Sequence, residues 1–230
     1  MIIKGLQKLT LLDFPGKVAA TVFTGGCNFR CPFCQNGSLV LPERFDDAEI
    51  SEDEFFSFLN KRRGRLEGVC ISGGEPTLMP DLPSFIKRIR DLGYAVKLDT
   101  NGYRPEVLES LIREGLLDYV AMDIKTSREN YAKLSGIPNI DVSKIERSAE
   151  LLMRGTLPFE FRTTVVKPLH EPEDFIKIGE WLRGDERYFL QGFVLSEDVI
   201  CPSLDGYDKN ELEYLLNLLK AYIPNAQIRG

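Results

Sequence analysis

Short β-rich runs alternate with longer stretches of helical periodicity along most of this 230-residue chain, and that alternation narrows the available folds more than any other feature. Candidate strands fall at 18–23, 68–72, 95–99, 119–123, 159–166 and 188–194. Candidate helices fall at 51–62, 82–92, 105–114, 142–154, 172–182 and 209–221. Six such βα units make a parallel sheet. Local signals support the helix starts. Ser51 precedes Glu52, Asp53 and Glu54, an N-cap followed by first-turn carboxylates. Pro105 and Pro172 stand where a first-turn proline is tolerated, and Glu173 and Asp174 add negative charge to the fifth start. In the last helix Leu212, Tyr214, Leu215, Leu218 and Leu219 recur at helical spacing, which predicts a packed face.

Alternation alone leaves two architectures, an open doubly wound sheet or a sheet curled into a partial barrel. The fifth strand favours the second. Arg162, Thr164 and Val166 fall on one face and Phe161, Thr163 and Val165 on the other. An arginine on a strand covered by helices needs a polar lumen or a ligand to answer it. In barrels of this kind the reacting groups gather at the carboxyl ends of the strands.

With 43% hydrophobic residues and no linker-like stretch, residues 1–230 read as one domain, with a core at about 17–195 and a C-terminal helix and tail at 203–230. A net charge of −6 argues against nucleic-acid binding. The one basic run, Lys61-Arg62-Arg63-Gly64-Arg65, reads as a helix end, with docking of an acidic electron carrier as the sharper alternative. The longest apolar runs are far too short to span a bilayer, and Lys4, Lys8 and Asp13 interrupt any signal-like opening. The expectation is a cytoplasmic protein, where five cysteines stay reduced and a cluster of them binds metal more often than it pairs.

Three of those cysteines, Cys27, Cys31 and Cys34, are spaced C-x₃-C-x₂-C. A closed zinc site wants four ligands. No fourth is near: the only histidine is His170, Cys70 and Cys201 are isolated, and Gln35-Asn36-Gly37 follows the triplet. The set favours a [4Fe–4S] cluster with one iron left without a protein ligand, over zinc or unrelated core thiols. Asp99 and Asp123 end two neighbouring strands, a placement that packing explains poorly because a buried unpaired carboxylate is costly. Cys70 reads as a small core residue, His170 as a solvated or loop-packing residue rather than a general base, and Cys201 carries no assignment.

The triplet, with Phe33 just before its last cysteine, resembles the signature of radical S-adenosylmethionine (SAM) enzymes. Leu12-Asp13-Phe14-Pro15-Gly16-Lys17, the loop Gly25-Gly26-Cys27-Asn28-Phe29-Arg30-Cys31, and Ser72-Gly73-Gly74-Glu75-Pro76 sharpen this. Together, over about residues 6–191, they resemble the activating proteins of glycyl-radical enzymes, most of all those of anaerobic ribonucleoside-triphosphate reductase. The resemblance implies an α/β fold, a partial (β/α)₆ TIM-like barrel open on one side. It implies that Cys27, Cys31 and Cys34 hold the cluster, that Phe33 lies against adenine, and that the Gly73-Gly74-Glu75 turn receives the methionine ammonium. Lys125 is expected to meet the methionine carboxylate, or else to pair with Asp123. Asp99, Thr100 and Asp123, with the backbone oxygen of Ala121, are expected to hold a monovalent cation. Arg162 is expected to contact both SAM and a substrate peptide, and Asp13 to meet that peptide. Gln191 stands where pyruvate formate-lyase activating enzymes have a histidine, and is expected to position rather than titrate.

The implied partners are a glycyl-radical enzyme, foremost the large subunit of anaerobic ribonucleotide reductase, and an electron donor of flavodoxin or ferredoxin type. Residues 35–67 lack the second cysteine cluster of activases that carry a ferredoxin-like insert. Three other readings stand beside this one: an activase of another glycyl-radical enzyme such as pyruvate formate-lyase, a small-molecule radical SAM enzyme such as 7-carboxy-7-deazaguanine synthase, and a non-enzymatic metal-binding module.

Overall fold

The computed structural model describes residues 1–44 and 49–229. Its strands are β1 (Ile3–Thr10), β2 (Ala19–Thr24), β3 (Gly68–Gly73), β4 (Ala95–Thr100), β5 (Tyr119–Asp123), β6 (Phe159–Lys167), β7 (Tyr188–Gly192), β8 (Asp205–Gly206) and β9 (Gln227–Arg229). From β2 to β7 they lie side by side in chain order, all parallel, as successive βα units require. β1 pairs antiparallel with β2 on one edge, β9 extends the other beside β7, and β8 pairs antiparallel with the end of β6. The helices are α1 (Gly37–Val40), α2 (Glu52–Lys61), α3 (Leu82–Asp91), α4 (Pro105–Arg113), α5 (Tyr131–Ser135), α6 (Val142–Arg154), α7 (Pro172–Trp181) and α8 (Lys209–Lys220).

All six expected parallel strands and all six expected helices are present, each end within two residues of its predicted place. The start signals act as chemistry suggests: Ser51 and Glu54 form a reciprocal capping box, and Pro105 and Pro172 open their helices. Within α8, however, Leu212, Leu215, Leu216 and Leu219 form the buried face and Tyr214 is 56% exposed. Two residues advance a helix by about 200°, which turns Tyr214 away from the face of Leu212.

The sheet remains open, with β1 and β9 at opposite edges, yet it curves enough that Asp13 before β2 and Gln191 on β7 line the same cavity. Apolar side chains from strands and helices fill the outer layer, including Val69, Ile71, Val96, Leu98, Val120, Met122, Phe161 and Val165. The opposite strand faces carry polar groups into a lumen. Its N-terminal end is sealed. Phe14, from the turn before β2, is buried beside Ala19 with its ring 6.2 Å from that of Tyr119. Beside them the buried Glu160 accepts two bonds from Arg229, at 2.7 and 2.8 Å, and one from the Tyr119 hydroxyl. The C-terminal end stays open, and the cysteine loop lies there.

Candidate functional site

The loop after β2 is fixed by its own backbone. Gly26, at φ +87°, takes a conformation that favours glycine, and its amide donates to Leu39. The Arg30 amide donates to Ser135, while Cys34 and Pro32 accept from the amides of Ile200 and Cys201. This anchoring presents Cys27, Cys31 and Cys34 together in the wall of a cavity of about 400 Å³. Burial pushes the Cys27 thiol up to about 11 and the Cys31 thiol up to about 12, and it raises Cys34 as well. Proteinaceous charge alone therefore leaves these sulfurs as thiols, and a bound metal is what would draw off their protons. Two further observations fit an iron–sulfur cluster here. The Phe29 amide donates to Cys27 Sγ at 3.3 Å, and the Nδ2 group of neighbouring Asn28 is buried without a partner, a donor available to an acceptor in the site.

Below the cysteines, an alternating row of charges runs across β4, β5 and β6. Lys97 pairs with one oxygen of Asp99; the other accepts from Ser72 Oγ at 3.0 Å and faces Arg162 at 3.4 Å. Arg162 also meets Asp123 through Nε at 3.1 Å and Nη2 at 3.0 Å, and Lys125 binds the remaining Asp123 oxygen at 2.9 Å. Burial opposes charge on both acids, but their cations outweigh it. Arg162 and Lys97 hold Asp99 below the usual carboxylate range, and Lys125 and Arg162 hold Asp123 at about 2. For the same reason Lys125 and Arg162 are raised despite burial.

At the expected cation site the structure shows ion pairs within the chain. Both carboxylates already have cations from the chain, and Thr100 Oγ1 donates to Glu75 at 2.8 Å while accepting from the Gly102 amide. Among the described residues, no group of three or more His, Cys, Asp or Glu side chains stands in position to hold a single metal ion, the three cysteines included, so what the structure shows of those three is a shared cavity wall. The row also shows Lys125 in the Asp123 pair that was the alternative to a ligand role. Lys97 and Ser72 were not foreseen. The signal for Lys97 was present: in Ala95-Val96-Lys97-Leu98-Asp99 the alternation puts Lys97 on the face of Asp99, as it puts Arg162 on the lumen face of β6.

The Glu75 side chain turns away from the cavity. It lies behind the cavity wall, fully buried, and receives four bonds, from the amides of Thr77 and Asn101 and the hydroxyls of Thr77 and Thr100. Burial raises its pKa, which these donors resist. The carboxylate thus ties the turn after β3 to the end of β4. The amides of Gly74 and Glu75 are likewise committed, to the carbonyls of Thr24 and Gly26, whereas the ammonium expected at this turn would need carbonyl acceptors. Gly73 and Gly74 themselves line the cavity.

Phe33, Gln191 and Asp13 also line it, and Asp13 accepts from the Thr21 hydroxyl at 2.5 Å. His170 is loop-packed and not solvated. Its Nδ1 accepts from Val166, its Nε2 bonds the Lys125 carbonyl at 2.8 Å, and the Phe33 ring meets it edge-on at 6.2 Å. Burial lowers its pKa, so the neutral ring braces the loop carrying Lys125. Cys70 is buried as expected, but toward the lumen, 3.8 Å from Lys97 Nζ. The basic run from Lys61 to Arg65 leads into the N-terminal end of β3, about 20 Å from the cysteine edge by strand length. A carrier docked there would be poorly placed to reduce a cluster. No helix among the described residues is long and apolar enough to cross a membrane.

The pattern of the Radical SAM superfamily matches residues 21–182. A protein of Methanocaldococcus jannaschii named "Putative glycyl-radical enzyme activating enzyme" is 34% identical over 99% of this chain and 95% of its own length. A second protein of that name and organism is 32% identical over 76% of this chain and 67% of its own. Among solved structures, Streptococcus suis SuiB bound to S-adenosylmethionine aligns with a TM-score of 0.71 over 90% of this chain and 49% of its own, at 17% identity. That identity shows a shared fold alone, and this chain spans about half of that one.

Proposed function

The chain belongs to the Radical SAM superfamily, whose members use a [4Fe–4S] cluster and SAM, and from that premise we propose that it is an activase that generates a glycyl radical on a partner enzyme. The observation that carries the activase reading is the near full-length likeness to the M. jannaschii relative. The foremost candidate partner is the large subunit of anaerobic ribonucleotide reductase. The open side of the sheet supports a protein substrate, because it leaves the cavity accessible to a loop of another chain.

Cys27, Cys31 and Cys34 would hold the cluster in this reading. When bound, the cluster supplies the electron that breaks a carbon–sulfur bond of SAM, giving methionine and a 5′-deoxyadenosyl radical that removes hydrogen from glycine. The chain's residues bind and orient. Phe33 offers an apolar ring at the cavity wall, with Lys125 Nζ 5.9 Å from its centroid. Gly73 and Gly74, which also line the cavity, allow close approach, and Lys125 would exchange Asp123 for the methionine carboxylate. Arg162 holds Asp99 and Asp123 in place through that exchange, while Gln191, Asp13 and Thr164 line the region a glycine loop would reach.

Anaerobically reconstituted, reduced protein is expected to release 5′-deoxyadenosine from SAM and, with the correct partner, to give a glycyl-radical signal by electron paramagnetic resonance. Alanine at Cys27, Cys31 or Cys34 should lower cleavage by more than about 10³-fold, whereas Cys70→Ala and Cys201→Ala should retain it. Cleavage without a glycyl radical on any candidate enzyme would leave the family membership standing and overturn the activase reading.

A further inference from the structure

Lys97 is fully buried, is not among the residues lining the cavity of the cysteines, and has no part in the binding steps above. A buried ammonium needs a charge to answer it, and Lys97 has Asp99. Three carboxylates line the cavity, Asp13, Asp99 and Asp123. Facing them from the same lumen are three cations, Lys97, Lys125 and Arg162. The lumen is thereby neutral, and Lys97 sits at one end of the row with Lys125 at the other.

We infer that Lys97 is a positioning residue that supplies from within the chain the positive charge which Asp99 would otherwise take from a monovalent metal ion. Its consequence appears when Lys125 turns toward an incoming carboxylate. With Lys97 in place, Asp99 keeps a cation of its own and Arg162 remains for Asp123. Without Lys97, Arg162 alone would serve two carboxylates, and the lumen would carry an uncompensated negative charge. A desolvated carboxylate with no partner is strongly disfavoured. It would draw in a small cation or draw Lys125 back. The inference rests on the reading that the methionine end of SAM enters this cavity, but its charge balance can be tested without SAM.

The test compares potassium chloride with choline chloride at equal ionic strength, since choline is too large to enter between Asp99 and Asp123. Two quantities are measured on the full chain: the thermal midpoint of the protein without its cluster, and the SAM dissociation constant of the reconstituted protein by anaerobic equilibrium dialysis. For the unaltered protein both are expected to be the same in the two salts, the affinity within about twofold. Lys97→Met is expected to weaken SAM binding by at least about tenfold in choline chloride, and potassium should restore most of it. Its midpoint should rise by about 3–6 °C when potassium replaces choline. The double variant Lys97→Met with Asp99→Asn removes both charges and should be indifferent to the salt, which keeps the test open if Lys97→Met alone fails to fold.

Potassium dependence of the unaltered protein would overturn the inference. So would a Lys97→Met variant equally impaired, or equally unimpaired, in both salts, or a salt-sensitive double variant. Failure of the unaltered protein to bind SAM in either salt would instead defeat the functional reading, and the thermal midpoints would still decide the role of Lys97.

Discussion

Glu160 and Arg162 are two residues apart on one face of β6, and each lies in an ion-pair network inside the same lumen. At the sealed end Glu160 meets a single arginine, Arg229, in a two-pronged pair whose second oxygen is closed by Tyr119. The Arg229 guanidinium lies 3.5 Å from the centre of the Phe189 ring, so its planar group is covered as well as paired. Toward the open end Arg162 bridges two carboxylates, each with a further cation, and the row ends at the cavity in Lys125. The first network is complete within the fold. The second ends at the cavity in Lys125, which in the proposed function leaves Asp123 for the methionine carboxylate while Arg162 stays. The difference teaches that burial and charge do not by themselves mark a binding site; what marks it is a pair whose partner can be exchanged.

The sharpest way to break this comparison is to remove each arginine. Arg162→Leu leaves Asp99 and Asp123 short of their shared cation and is expected to cost about 3–5 kcal/mol of unfolding free energy, with SAM binding lost. Arg229→Leu leaves Glu160 the Tyr119 hydroxyl, and water can reach an arginine site that is 34% exposed. Its expected cost is about 1–2 kcal/mol, with SAM cleavage within about twofold of normal. Urea unfolding and 5′-deoxyadenosine release check both. If Arg229→Leu abolished cleavage, the sealed end would no longer count as structural.

The sequence alone made the parallel strands and their helices legible because βα units announce themselves through period and caps, and C-x₃-C-x₂-C needs no fold to be noticed. It was silent where pairing is non-local. β1 reads weakly because Lys4, Gly5 and Lys8 break its pattern and an edge strand leaves Gln7, Lys8 and Leu9 exposed. β9 consists of three residues whose place depends on β7, forty residues earlier in the chain. Glu75 was placed toward the ligand as part of the turn that the family resemblance puts at the methionine ammonium, but no pattern in the sequence could show that donors from Thr77, Thr100 and Asn101 would converge on its side chain.

That convergence sharpens the comparison at the wall between cavity and core. Four donors meeting one side chain require a group that only accepts, which a carboxylate is and an amide is not. Glu75→Gln turns an NH₂ group toward at least one of these donors, so about 2–3 kcal/mol should be lost although size and shape barely change. Asn101 Nδ2 also donates to Asn28 Oδ1 at 2.8 Å, so the disturbance reaches the cysteine loop. A lowered urea midpoint, together with weaker cluster retention on gel filtration, is the expected outcome. An unchanged midpoint would show that the four bonds contribute little.

The last effect concerns an acid that belongs to neither network. Asp185, between α7 and β7, is 4% exposed; one carboxylate oxygen accepts from the Arg187 amide at 3.2 Å and the other has no partner. Burial, with a lesser contribution from the charge of Glu186, pushes its pKa up to about 6 from 3.8. Below about pH 3 the acid is largely protonated whether folded or unfolded, and it costs little. As the pH rises from about 3 to 6 the unfolded chain ionises first, so the folded state loses relative stability, and above 6 the loss levels off. Asp185→Asn removes the ionisation but keeps an oxygen for Arg187. It should therefore raise stability by up to about 3 kcal/mol at pH 8 and converge on the parent protein toward pH 3. Urea unfolding at the two pH values measures this directly. Equal gains at both would mean that packing rather than charge governs the site, whereas Asp99 and Asp123, answered by cations, should show the opposite slope, losing their contribution as the pH falls toward 2.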